Sequence, residues 1–76
     1  MPYTIVMIGR EFIARVRKLG RKAGTEVRIE TQRGKGSHRT LRYGRRLTIV
    51  KDPRKEIGTG LLRAMCRQLG IDPRDL

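Results

Sequence analysis

The sequence holds one cysteine, one histidine and one phenylalanine, and no tryptophan. A single cysteine, Cys66, excludes an internal disulfide and leaves a cysteine-based metal site without its ligands. It suits a reducing compartment, and the chain is accordingly expected in the cytoplasm. Carboxylates are also few. Asp52 and Glu56 stand close together, but Lys51, Arg54 and Lys55 surround them, which reads as local charge compensation rather than as an acid–base pair. No metal-ligand spacing is present, and no cofactor is expected. No apolar run approaches the roughly 18 residues of a membrane span. Residues 5–8 are apolar but too short for a signal-peptide core, and no cleavage pattern follows them.

What the chain has in excess is positive charge. Nineteen Lys and Arg stand against seven Asp and Glu, a net charge of +12 on 76 residues. Such a surface repels itself at low salt and calls for a polyanionic partner: RNA, DNA, an anionic membrane or an acidic protein. A merely solubilising surface is the plainer reading. The preponderance of Arg over Lys favours a phosphate partner, because the planar guanidinium matches phosphate oxygens bidentately. The length corresponds to one domain, residues 1–76. A chain this short buries only about 60% of the surface its unfolded form exposes, so a partner that binds only the folded state adds to its stability.

Hydrophobic periodicity divides the chain. Residues 1–8 read as an N-terminal extension, with Met7 as a second candidate start. In residues 9–22, Phe12, Ile13, Val16 and Leu19 form one helical face, and Gly24 is a natural stop. Val27 and Ile29 then alternate with Glu26, Arg28 and Glu30, the period of a half-buried strand. After a loop over residues 32–36, a second strand over residues 37–43 points Leu41 and Tyr43 inward and His38, Thr40 and Arg42 outward. Gly44 marks a hairpin turn. The third strand, residues 46–51, has Leu47 and Ile49 inward. A two-residue turn of Gly44 and Arg45 conflicts with that pattern, since it sets Leu41 opposite Thr48; the apolar residues ask for an odd loop or a bulge. Pro53 ends the strand and residues 52–57 form a connector. Thr59 can cap a helix over residues 59–69, whose apolar residues are Leu61, Leu62, Met65, Cys66 and Leu69. Asp72 and Pro73 suit the start of a last short turn.

The expected class is α+β in the order α-β-β-β-α, with a three-stranded antiparallel sheet over residues 25–51 and both helices on one face. The other face is open and carries Arg28, His38, Thr40, Arg42 and Arg46. His38 is the one side chain suited to proton transfer at neutral pH. RNA cleavage needs a base on the 2′-hydroxyl or an acid on the leaving 5′-oxygen, while the substrate supplies the nucleophile. A lone histidine is also commonly incidental, and the pattern by itself leaves both readings open. Lys35, Gly36 and Ser37 offer a cation and backbone amides ahead of His38, although the spacing of a P-loop is absent and a plain turn explains them as well. Arg54 and Lys55 precede the second helix, where a phosphate or only solvent can meet them. Tyr43 reads as core rather than as a base-stacking platform, and Cys66 as buried and inert.

Gly34-Lys35-Gly36-Ser37-His38, then Lys55-Glu56-Ile57-Gly58-Thr59-Gly60-Leu61-Leu62-Arg63 and Leu69-Gly70-Ile71, resemble the HicA-type toxin family in order and spacing over about residues 9–71. The resemblance implies a fold like the double-stranded-RNA-binding domain. It also implies an mRNA interferase, the toxin of a type II toxin–antitoxin system, whose essential histidine corresponds to His38. No metal is required in principle. The implied partners are messenger RNA and a HicB-type antitoxin. The RNA-contacting residues expected with His38 are Arg28, Lys35, Gly36, Ser37, Arg42, Arg46, Arg54 and Lys55. Arg39 departs from the pattern, because many members carry a histidine or an aromatic there. The competing readings are a non-catalytic double-stranded-RNA-binding module, which needs no histidine, and a structural basic protein of a ribosome or nucleoid.

Overall fold

A computed structural model describes residues 7–31, 36 and 38–76. In chain order the elements are β1 (Met7–Ile8), α1 (Gly9–Ala23), β2 (Val27–Thr31), β3 (Arg39–Tyr43), β4 (Arg46–Val50), β5 (Glu56–Ile57), α2 (Thr59–Leu69) and a closing 3-10 turn (Pro73–Asp75). Strands β2, β3 and β4 form one antiparallel sheet with β3 in the centre. Phe12 and Val16 of α1, Leu41 and Val50 of the sheet, and Leu62, Met65, Cys66 and Leu69 of α2 share one core. Both helices therefore lie against the same face of the sheet, and the class is α+β, as expected.

The short pair β1–β5 is not foreseen by periodicity. Met7 pairs with Ile57 and Ile8 with Glu56, antiparallel. Met7 is only 3% exposed and belongs to the core. Residues 7 and 8 are thus part of the fold rather than an extension, and the connector over residues 52–57 ends in a strand. Two-residue strands are too short for an alternation to show.

Helix α1 opens without a side-chain cap. Its first amides are satisfied by the connector instead: the N–H of Gly9 donates to the carbonyl of Lys55 at 2.9 Å, and that of Arg10 to the carbonyl of Pro53 at 2.7 Å. The approach is close enough to require glycine. A Cβ on Gly9 would lie 2.8 Å from Val50 Cγ1 and 2.9 Å from both the Asp52 carbonyl and Pro53 Cα. The helix ends at Gly24, in the left-handed region, as the sequence predicts.

Helix α2 differs in two details. Its N-cap is Gly58, not Thr59, and no side chain caps it. Leu61 is not core but 54% exposed. Leu62, Met65, Cys66 and Leu69 already define the i, i+3, i+4, i+7 stripe, and Leu61 lies about 100° away from Leu62 around the helix axis. The last turn starts as expected, with the Asp72 carboxylate accepting from the Arg74 N–H at 2.9 Å.

The main correction concerns β4. The hairpin has a two-residue turn with Tyr43 opposite Arg46, so Leu41 faces Thr48 and Arg42 faces Leu47. Gly44 adopts a φ of 61°, and no non-glycine residue has positive φ among the described residues. A positive first turn residue followed by a negative one is the type II′ pattern, whose twist suits the strands. Turn geometry therefore prevails over the apolar pattern, and no bulge intervenes. Thr48 and Val50 point into the core at 2% and 1% exposure, and Leu47 faces solvent at 40%. Ile49 shares the face of Leu47 by alternation. The buried Thr48 hydroxyl donates to Gln68 Oε1 on α2, which satisfies it in the apolar layer. Arg46 leaves the open face for the same reason and lies against Gly70, where a Cβ would stand 2.9 Å from its Nε. A cation there faces the negative end of the α2 dipole.

Leu47→Lys should alter stability by no more than about 0.5 kcal/mol, whereas Thr48→Lys should cost more than about 3 kcal/mol by burying an amine in the core. Chemical denaturation of both variants measures this, and the opposite order would refute the register. Gly9→Ala should lower stability by about 2 kcal/mol through overpacking, despite alanine's higher helix propensity. A thermal melt no lower than the parent's would contradict the close approach.

Candidate functional site

The open face of the sheet is less basic than the sequence implies. Arg28 and Arg42 are cross-strand neighbours on it. Each is matched by a carboxylate: Arg28 Nε lies 3.1 Å from Glu26, and Arg42 Nε 3.1 Å from Glu30. Thr40, Leu47 and Ile49 share this face by register, so half of it is uncharged. Arg46 belongs to the other side. Lys55 lines a separate, largely apolar hollow with Ile49, Val50, Leu61 and Met65.

A second set of cations converges elsewhere. Arg10 from the first turn of α1, Arg39 from the start of β3, and Pro53 and Arg54 from the connector surround an open groove of about 500 Å³ that Gly36 also lines. The hydrogen bonds of Gly9 and Arg10 to the connector bring α1 and residues 53–54 together. Arg39 reaches the groove because it shares the inner face of β3 with Leu41. Its guanidinium donates from one terminal nitrogen to the carbonyls of Gly36, at 3.3 Å, and His38, at 3.2 Å. Among the described residues, no carboxylate lines the groove. The Asp52 carboxylate accepts the Arg54 backbone N–H at 2.9 Å and contacts Arg54 Nε at 3.5 Å. The Arg54 N–H, and then its guanidinium, hold the Asp52 carboxyl below the usual range.

His38 immediately precedes β3 and is half-buried, outside the apolar core. Its imidazole takes part in none of the side-chain hydrogen bonds found among the described residues, while its carbonyl is held by Arg39. Lys35 and Ser37 lie outside the described residues. Of the expected RNA contacts, then, Gly36 and Arg54 line the groove, to which the backbone of His38 is linked through Arg39. Arg28 and Arg42 sit in ion pairs on the open face, and Arg46 and Lys55 point elsewhere. Sequence reasoning missed Arg10 and Arg39. Alternation from Leu41 could have placed Arg39; nothing local could have placed Arg10.

The thiol of Cys66 is not available for chemistry. Cys66 is fully buried, and burial, with a smaller contribution from the Asp72 charge, pushes its thiol up to about 11. Among the described residues, no three His, Cys, Asp or Glu side chains come together as metal ligands, and no helix is long and apolar enough to cross a membrane.

Among known proteins, a family model described as HicA toxin of bacterial toxin-antitoxin matches residues 9–71. No curated protein and no solved structure matched the chain.

Iodoacetamide at pH 8 should leave Cys66 unmodified in the native protein and label it once denaturant is added. Labelling of the native state at the denatured rate would show the thiol to be accessible. The native thiol stays protonated up to about 11 while the unfolded one ionises near its ordinary 9.0, so the unfolded state binds fewer protons between these values. Stability should therefore fall as pH rises through that interval.

Proposed function

The chain belongs to the HicA toxin family of bacterial toxin–antitoxin systems, and from that membership we propose that it is an endoribonuclease that cleaves messenger RNA with His38 as general acid or base. The observation that carries this reading is the half-buried imidazole of the sole histidine, joined through its own backbone to a groove of arginines. In the proposed reaction the ribose 2′-oxygen forms a bond to the adjacent phosphorus and the bond from phosphorus to the 5′-oxygen breaks. One proton leaves the 2′-hydroxyl and one reaches the 5′-oxygen. The imidazole performs one of these transfers, which a positioned base or acid accelerates by about 10²- to 10⁴-fold. Cations beside it offset charge on the phosphoryl oxygens. The chain supplies no nucleophile, because the substrate carries its own.

A family of toxins from toxin–antitoxin systems implies an antitoxin partner. We take that partner to be of the HicB type, with an acidic surface complementary to the net charge of +12, acting on the toxin in the cytoplasm. A non-catalytic duplex-RNA module is the less favoured reading. Its phosphate contacts would draw on the open sheet face, where Arg28 and Arg42 are already matched by glutamates.

His38→Ala should reduce RNA cleavage at least about 10²-fold while leaving RNA affinity within about twofold, since the many lysines and arginines carry the phosphate contacts. Gel assays of cleavage, with filter binding of uncleaved RNA, test both halves. Cleavage at the parent's rate by the variant would end this reading.

A further inference from the structure

We propose that Arg10, Arg39 and Arg54 form a subsite for a backbone phosphodiester of the bound RNA, flanking the linkage presented to His38. This rests on the ribonuclease reading above and joins Arg54, which the sequence offers as a phosphate contact, to Arg10 and Arg39, which it does not. The three arginines come from α1, β3 and the connector, elements far apart in sequence, and line one groove. Like charges repel when gathered without a counter-charge. The arginines of the open sheet face avoid that cost by pairing with Glu26 and Glu30. In the groove the compensation found among the described residues is Asp52, whose contact with Arg54 Nε is 3.5 Å long and whose same oxygen is held by the Arg54 backbone N–H. An anion from outside would complete the arrangement.

The shape and the donors favour a phosphodiester. The groove, about 500 Å³ and open to solvent, falls in the size range of small-molecule sites rather than that of a single ion. A phosphodiester presents two non-bridging oxygens that match the fork of an arginine. Arg39 is held in place by the carbonyls of Gly36 and His38 through one terminal nitrogen, and the guanidinium has further N–H donors to offer. That bond ties the anchored cation directly to the backbone of His38. A phosphate in the groove would therefore fix the strand relative to the imidazole. The lining residues are Arg10, Gly36, Arg39, Pro53 and Arg54. Among the described residues they include no aromatic side chain on which a base could stack, and arginines of this kind position a strand rather than read its sequence.

The test uses Arg10→Gln and Arg54→Gln, both at exposed positions, in the full chain. In a His38→Ala background, binding of a short single-stranded oligoribonucleotide is measured against salt. Each change should weaken binding about fivefold at low salt and reduce the slope of log K against log salt by about 0.7, with the double variant losing about twice that. Arg21→Gln, at the far end of α1, should leave the slope unchanged. With His38 intact, both groove variants should raise KM about fivefold. Unchanged slope and KM in both variants would overturn the subsite, even if cleavage still required His38. A parent that cleaves no RNA would instead refute the ribonuclease reading, and the salt slopes would still decide the groove.

Discussion

The first turn of α1 rests on the backbone of residues 52–55, and most of the molecule depends on that contact. Two helix-terminal N–H groups find their acceptors there, at 2.9 and 2.7 Å, because the helix has no side-chain cap. Gly9 permits the approach, since a side chain would meet Val50 and the backbone of Asp52 and Pro53. One contact thereby joins the end of β4, the entry to α1 and the β1–β5 pair, and seals the core where Met7 and Ile57 enter it. It also carries Arg10 to Arg54. The groove beside His38 is a product of how α1 begins, not of a local motif.

The sheet shows a second constraint. A type II′ hairpin around Gly44 prefers two residues and the twist that follows, and the apolar pattern of β4 is mismatched to it by one position. The chain meets this conflict with a polar pair in the core, Thr48 with Gln68, and leaves Leu47 facing solvent. A buried hydroxyl with a partner costs little, whereas one without costs roughly 1–3 kcal/mol, so Gln68 is what makes the register tolerable. Beside the edge of β4, Ile49 and the α2 residue Leu61 line an apolar hollow that Lys51 and Lys55 flank. Charged side chains of that kind discourage unwanted strand pairing.

Charge is distributed unevenly over the surface. The few carboxylates are spent on the helices, the open sheet face and the turns, where Glu11, Glu26, Glu30, Asp52 and Asp72 each contact an arginine. Exposed pairs of this sort contribute little to stability. Their larger effect is to match the cations of the sheet face, whereas Arg10 and Arg39 of the groove have no carboxylate partner among the described residues. A formal charge of +12 says only that a polyanion is attracted; the positions of seven carboxylates decide where it is attracted.

The order of helices and strands, the core residues Phe12, Val16, Leu41, Leu62, Met65, Cys66 and Leu69, the stop at Gly24, and the family motif around His38 were legible in the sequence. Each is local: a period of two or 3.6 residues, a glycine at a helix end, a run of adjacent residues. The strand pair of Met7 and Ile57, the outward turn of Leu47 and Leu61, the inward turn of Arg46 and the meeting of Arg10, Arg39 and Arg54 were not. Those features follow from which backbone groups far apart in the chain satisfy one another, and from a turn whose geometry outweighs the side-chain pattern beside it. Side-chain character fixes what each segment can become. Only the closing of hydrogen bonds between distant segments decides which side chains become neighbours.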